Sequence, residues 1–153
     1  MYPVTFLVFG RPRLAGVNDL ETHYRNLLRS HVRLDFSELP ESRAKDPAKQ
    51  LRDESERIGP KLRAVRCPVL LDAAGKPRST EAFAEGLRPR IDRGESLAFA
   101  LGSSHGFDPA LKAEFPEKLS LSPMTFPHDL ARVMFLEQLY RAFSLLKGSP
   151  YHK

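Results

Sequence analysis

Three stretches of this chain carry residue types able to hold or act on a polar ligand. Gly102-Ser103-Ser104-His105-Gly106 follows an apolar run and precedes a helix start. Exposed backbone N–H groups at such a junction hold anionic or polar ligands. The stretch Leu121, Ser122, Pro123, Met124, Thr125, Phe126 is apolar, bears hydroxyls and leads into a helix. A loop of that kind can enclose a partly apolar ligand while its backbone hydrogen-bonds a heterocycle. Tyr151, His152 and Lys153 end the chain with a stacking ring, a proton-accepting imidazole and a cation, a set suited to gripping a nucleotide. Arg132 and Arg141 sit on the apolar helical stretch just before them, and guanidinium groups there need partners, either carboxylates such as Glu137 or ligand oxygens. Each pattern also has a plain structural reading: a strand-to-helix turn, a core-filling connection, a frayed end and internal ion pairs.

Other chemistries have no support in the pattern. No nucleophile elbow or phosphate-binding loop occurs, and the spacing from Gly102 to Gly106 lacks the third glycine of a dinucleotide fingerprint. The carboxylates form no marked acid/base couple. The histidines are scattered, with no Cys/His/carboxylate cluster beside His105, so no metal is expected.

The elements that position these groups follow from periodicity. Residues 2–9 (YPVTFLVF) read as a buried strand ending at Gly10. A helix capped by Asn18 or Asp19 is expected to run to about His31, followed by a half-exposed strand over 32–39. Residues 40–49 have the composition of a charged loop, and 47–64 look helical with a break or kink at Gly59-Pro60. Residues 67–72 (CPVLLD) form a central strand, residues 73–76 a turn, and Ser79 or Thr80 caps a helix that Pro89 ends or distorts. A strand over 97–101, a short helix from Asp108-Pro109 and a brief strand at Leu119 and Leu121 complete the run. The last helix has Pro127 in its first turn, Thr125 as its cap, and Gly148 and Pro150 at its end.

Strand and helix alternate five times, which predicts an α/β domain, a largely parallel sheet with helices on both faces. Ligands bind outside the carboxyl ends of strands in such sheets. Leu71-Asp72, residues 102–106 and residues 121–126 all fall at such ends, so they line one pocket if their strands are neighbours. The final helix is apolar over most of its circumference, through Leu130, Val133, Met134, Phe135, Leu136, Leu139, Tyr140, Phe143, Leu145 and Leu146. Such a helix is buried on two sides, and the second covering surface is either the chain's own core or another subunit.

The chain as a whole sets bounds. At 153 residues it fits one domain, 1–153, with a real core. A net charge of +5 points only weakly to a polyanionic partner. Cys67 is the single cysteine, which excludes an internal disulfide and suits a reducing cytosol. With no apolar run of transmembrane length and no signal-like N-terminus, a cytoplasmic location without membrane association is expected.

The segment SLSPMTFPHDLARVMFLEQLYRAFSLLKGSPYHK closely resembles the C-terminal signature of the H-type ribosomal RNA large-subunit methyltransferases, minimal SPOUT-class enzymes that methylate N3 of a pseudouridine. LLDAAGKPRST is similar to that family's Leu-Asp-x-x-Gly-Lys stretch, and FALGSSHGF to its Gly-Gly-x-x-Gly loop, with Ser103 in place of the second glycine. The resemblance implies a SPOUT-type fold with a C-terminal trefoil knot, where pattern alone predicts an unknotted sheet. It further implies a homodimer, S-adenosyl-L-methionine as cofactor, and 23S ribosomal RNA within the assembled ribosome as substrate. The family's cofactor contacts fall on Leu71, Gly102, Leu121, Ser122, Pro123, Met124, Thr125 and Phe126. Tyr151, His152, Arg132 and Arg141 are then expected to position the base, with His152 or a water taking the N3 proton. Arg11, Arg13, Arg25, Arg29, Arg33 and the loop from Lys45 to Lys49 are candidates for the RNA-facing surface. Alternatives are a SPOUT methyltransferase of a tRNA nucleoside, a non-catalytic ribosome-binding module, and an unknotted nucleotide-binding domain.

Overall fold

The hydrophobic alternation of the first strand decides which face of the sheet each helix covers. In the computed structural model, which describes residues 1–150, β1 (Tyr2–Phe9) turns Val4, Phe6 and Val8 to one face and Leu7 and Phe9 to the other. All are buried, as a strand covered on both faces requires. Around it follow α1 (Val17–Leu28), β2 (Val32–Leu39), α2 (Pro47–Arg63), β3 (Cys67–Pro77), α3 (Thr80–Asp92), β4 (Leu97–Leu101), α4 (Pro109–Glu114), β5 (Lys118–Ser120) and α5 (His128–Leu146). The strands lie in the order β2-β1-β4-β3-β5, with every neighbouring pair parallel. α1, α3 and α5 cover the Phe6 face; α2 and α4 cover the Leu7 face. The expected α/β architecture, with helices on both faces of a parallel sheet, is what the chain adopts.

Aromatic packing holds the larger layer. Phe135 of α5 meets Phe6 and Phe99 with ring centroids 4.7 Å away in each case, joining the helix to β1 and to the central strand β4. Buried rings at this spacing add about 0.5–1.5 kcal/mol per pair beyond the area they remove from water.

Several local expectations are corrected. α1 starts at Val17 behind Gly16, so neither Asn18 nor Asp19 is its cap, and it ends at Leu28 rather than His31. α2 runs unbroken through Gly59 and Pro60. A proline costs about 3 kcal/mol in a helix interior. Here it is set between Ile58 and Leu62, both 0% exposed, and burying each side chain contributes roughly 1.5–3 kcal/mol. Pro89 is likewise carried inside α3, which Ser79 caps by accepting from Ala82 N–H at 3.1 Å. The turn expected over 73–76 lies within β3, which pairs with β5 both before and after an irregularity between Leu71 and Lys76. α5 begins at His128 with Pro127 at its cap and no side-chain capping bond, so Thr125 does not cap it.

Candidate functional site

β3 and β4 are neighbours, and β5 pairs with β3, so the carboxyl ends of all three strands open into one cleft of about 250 Å³. Leu71 and Asp72 come from β3, Leu101 and Gly102 from the end of β4, and Leu121, Ser122, Met124, Thr125 and Phe126 from the connection between β5 and α5. Ser103, Ser104, Gly106, Phe107, Lys112, His128 and Ala131 complete the lining. Seven of the eight expected cofactor contacts are brought together here; Pro123 is not among the lining residues.

Two glycines shape the loop after β4. Ser103 and Gly106 form a small antiparallel bridge, with Gly106 N–H donating to Ser103 C=O at 2.9 Å. Gly106 has φ +77°, the left-handed region that favours glycine. Gly102 is hemmed in by this turn: a Cβ on it would lie 2.5 Å from the Gly106 carbonyl oxygen. The missing Gly102 side chain lets the turn close on itself, and the turn then lines the cleft through Gly102, Ser103, Ser104 and Gly106.

The 121–126 connection forms the opposite wall. Ser120, buried, donates its hydroxyl to Ala73 C=O at 3.0 Å, which ties the connection to the β3 irregularity. Met124 N–H is held by Ser122 Oγ at 3.0 Å. Met124 and Phe126 are exposed at the rim, while Leu71 and Phe107 are buried. Apolar walls interspersed with hydroxyls and backbone groups suit a heterocycle carrying a polar tail.

Charged groups at the cleft were missed from the sequence. Lys112 Nζ lies 3.0 Å from Asp72 Oδ2. Burial raises the Asp72 carboxyl, but the Ala74 N–H and Lys112 outweigh it and hold the group below its ordinary range. His128 Nε2 lies 3.2 Å from Asp129 Oδ1. The Asp129 carboxyl is raised by burial and lowered more by Leu14 N–H and Arg13 N–H at 2.9 and 2.7 Å, for a net downward shift. Asp72 stood at a strand end already marked as a ligand position. Lys112 and His128 reach the cleft only through the packing of α4 and α5, and no spacing in the sequence signals it.

The four expected base-positioning residues divide. Arg132 is corrected: its side chain is 0% exposed and does not line the cleft. It is ion-paired with Glu21 of α1, pairs with Glu38 of β2 at 2.9 Å, and donates to Gly10 C=O at 2.9 Å. A guanidinium so enclosed meets a carboxylate, not a substrate. Arg141 lies further along α5, part-buried, with Glu137 one turn back as a partner. Tyr151 and His152 lie outside the described residues. Among the described residues no helix is long and apolar enough to cross a membrane.

The family profile described as "Predicted SPOUT methyltransferase" matches residues 3–152. A protein of Gemmatimonas aurantiaca named ribosomal RNA large subunit methyltransferase H is 36% identical over 152 residues, 98% of this chain and 99% of that protein. Proteins of the same name from Brucella anthropi and a Synechococcus strain are 41% and 40% identical. Those matches cover 76% and 96% of this chain, and 74% and 94% of the respective relatives. With a parallel five-strand sheet, a cleft built from three strand ends and a profile match over nearly its whole length, the chain belongs to the SPOUT methyltransferase family.

Proposed function

We propose that the cleft binds S-adenosyl-L-methionine, and that the protein methylates N3 of a pseudouridine in the 23S ribosomal RNA of assembled ribosomes, in the cytoplasm and as a homodimer. The observation that carries this reading is the convergence of Leu71, Gly102, Leu121, Ser122, Met124, Thr125 and Phe126 on one cleft. These are the positions at which similarity to the family predicts cofactor contacts. When bound, the cofactor supplies a methyl group already activated on a sulfonium. The protein's work is then alignment of the accepting nitrogen and exclusion of water.

The residues divide that work. The backbone of 121–126 hydrogen-bonds the heterocycle, and Leu71, Leu121, Met124 and Phe126 enclose it. Arg141, Tyr151 and His152 hold the target base, and His152 or a water beside it accepts the N3 proton. A cation near the ring oxygens stabilises the negative charge that develops there. The knotted threading of the C-terminal segment belongs to the same proposal.

Helix geometry supports the homodimer. His128 and Ala131, at the start of α5, line the cleft. The 19 residues of α5 carry the chain about 28 Å away. Gly148 and Ser149 N–H groups then bond back to Leu145 and Ser144 C=O at 2.9 Å, which keeps this end of the chain on the far turn. The two further residues to Tyr151 span at most about 7 Å. A tail beginning there serves the cleft of a second copy. Leu130 and Met134, one turn apart on α5, are exposed and offer the contact surface, continuous in sequence with exposed Met124 and Phe126.

Arg11, Arg13, Arg25, Arg29, Arg33, Lys45 and Lys49 are all exposed and supply the cationic surface for RNA. The test is incubation with labelled cofactor and either intact ribosomes or deproteinised RNA, followed by nucleoside mass spectrometry. Methyl groups on N3 of a ribosomal pseudouridine, at a far higher rate on ribosomes, are expected. Equal rates on both substrates, or label in a tRNA nucleoside, would refute the reading.

A further inference from the structure

One buried carboxylate, outside the cleft, ties together two loops beside it. Glu54, in the middle of α2, is 3% exposed, and Ser103, the second residue of the turn after β4, is 7% exposed. Ser103 Oγ donates to Glu54 Oε2 at 2.6 Å across 49 positions of sequence. The other carboxylate oxygen accepts Ser42 N–H at 3.4 Å. Ser42, itself buried, donates its hydroxyl to Asp53 Oδ2 at 2.7 Å, and its C=O accepts from Gln50 Nε2 at 3.4 Å. The basic loop that carries exposed Arg43 and Lys45 and the turn that walls the cleft are thus anchored on the same side chain.

A carboxylate here is an expensive way to fill space. Withdrawing it from water costs several kcal/mol unless both oxygens find donors, and an apolar residue of similar size avoids that penalty. Each oxygen of Glu54 meets a different loop, so the side chain acts as a strut. The turn it holds is the one whose backbone Gly102 must clear, since Gly106 follows Ser103 through the bridge that closes on Gly102. A shift of Ser103 therefore moves the Gly106 carbonyl and the wall of the cleft with it.

We propose that Glu54 is a positioning residue for the cofactor site: through Ser103 it fixes the turn over residues 103–106, so cofactor affinity depends on a side chain that does not touch the cofactor. This rests on the reading of the cleft as an S-adenosylmethionine site. The test is a double-mutant cycle on the full-length protein, read as S-adenosylhomocysteine affinity by calorimetry, with melting temperature recorded in parallel. A hydrogen bond to a charged group contributes enough for Glu54→Gln to weaken binding about tenfold. Ser103→Gly, which removes the hydroxyl, is expected to weaken it by a similar factor. In that background, adding Glu54→Gln should change affinity less than about twofold, because the coupled pair is already broken.

Equal losses from Glu54→Gln in both backgrounds would overturn the proposal. So would a lower melting temperature with unchanged affinity, the signature of a merely structural carboxylate. If Glu54→Gln does not fold, Ser103→Ala carries the test: about tenfold weaker binding is expected, and affinity equal to the wild type overturns it. A wild-type protein that binds no S-adenosylhomocysteine overturns the cofactor reading itself, a result distinct from a wild type that binds with an uncoupled cycle.

Discussion

Replacing Arg132 with methionine separates a structural guanidinium from a catalytic one. The side chain is fully enclosed, paired with Glu21 and Glu38 and bonded to the Gly10 carbonyl. Removing it strands Glu21, which is 4% exposed. Breaking a buried pair by removing one partner costs about 3–5 kcal/mol, and the lost bond to Gly10 adds about 1 kcal/mol. Glu38, with 36% of its side chain exposed, contributes little. Burial and, less strongly, the Glu38 charge already set the Glu21 carboxyl above its ordinary range against the lowering by Arg132, so loss of the guanidinium removes the main group that favours its charged form. A total near 4–6 kcal/mol is a large part of the ~5–15 kcal/mol that holds a domain folded. For a chain of 153 residues it corresponds to a fall in Tm of roughly 8–24 °C. Adding Glu21→Met removes the stranded charge and should restore most of the loss, because an apolar pair of similar volume often replaces a buried ion pair without penalty. Thermal unfolding at fixed protein concentration reads both steps, and methylation of ribosomes by the double variant reads the third. Turnover near the wild-type level is expected. A single variant that melts within about 2 °C of the wild type would refute the energetics, and a stable double variant without turnover would return Arg132 to the reaction.

Gly102→Ala places a Cβ 2.5 Å from the Gly106 carbonyl oxygen, and backbone cannot swing aside as a side chain can. Strain of about 1–3 kcal/mol is expected, read as an S-adenosylhomocysteine affinity weaker by about 5- to 150-fold by calorimetry. Asp129 anchors residues 13 and 14 to α5, and its carboxyl is held below the ordinary range. A depressed carboxyl stabilises the fold above its unfolded pKa of about 3.9, and the contribution fades as pH falls through the lower folded value. Asp129→Asn should therefore lower Tm at pH 7 and flatten its fall below pH 4, as a melting series across acid pH would show.

The order of elements was legible because each apolar run is short, separated from the next, and bounded by glycine, proline or a capping residue. Of the two candidates, Ser79 is the cap of its helix, accepting from Ala82 N–H, and the short helix expected from Asp108-Pro109 does begin there, with Asp108 accepting from Ala110 N–H. What was misread depends on tertiary burial. Pro60 and Pro89 look like breaks along the chain, but Ile58, Leu62 and Leu87 lock those helices against the sheet. The β3 extension past Asp72 exists only because β5 pairs with it on both sides of the irregularity. The cleft was readable in outline, since three strand ends carried suggestive residues. Its charged members were not: Lys112 finds Asp72 across 40 positions, by an approach that depends on strand order. Arg132 shows the same limit from the other side, because the carboxylates that bind it lie on α1 and β2.

α5 gives the proposed activity its sharpest test. Its inner residues Phe135, Leu136 and Leu139 are 0% exposed, while Leu130 and Met134 face water on the described chain. One end of the helix lines the cleft and the other leads toward Tyr151 and His152. If the tail of one copy serves the cleft of another, dimerisation is part of catalysis and not only of stability. Leu130→Glu with Met134→Glu places two carboxylates on the contact surface, so each copy faces like charge as well as lost apolar area. The pair should convert the dimer to a folded monomer, seen by sedimentation at micromolar concentration. S-adenosylhomocysteine affinity should fall by less than about tenfold, since one chain by itself forms the described cleft and each tenfold step is about 1.4 kcal/mol. Methyl transfer should fall far more, because base and cofactor are then held on separate molecules and the effective concentration of one for the other is lost. A folded monomer that turns over at the wild-type rate would refute the shared site and place the base-gripping residues within the same chain as the cleft.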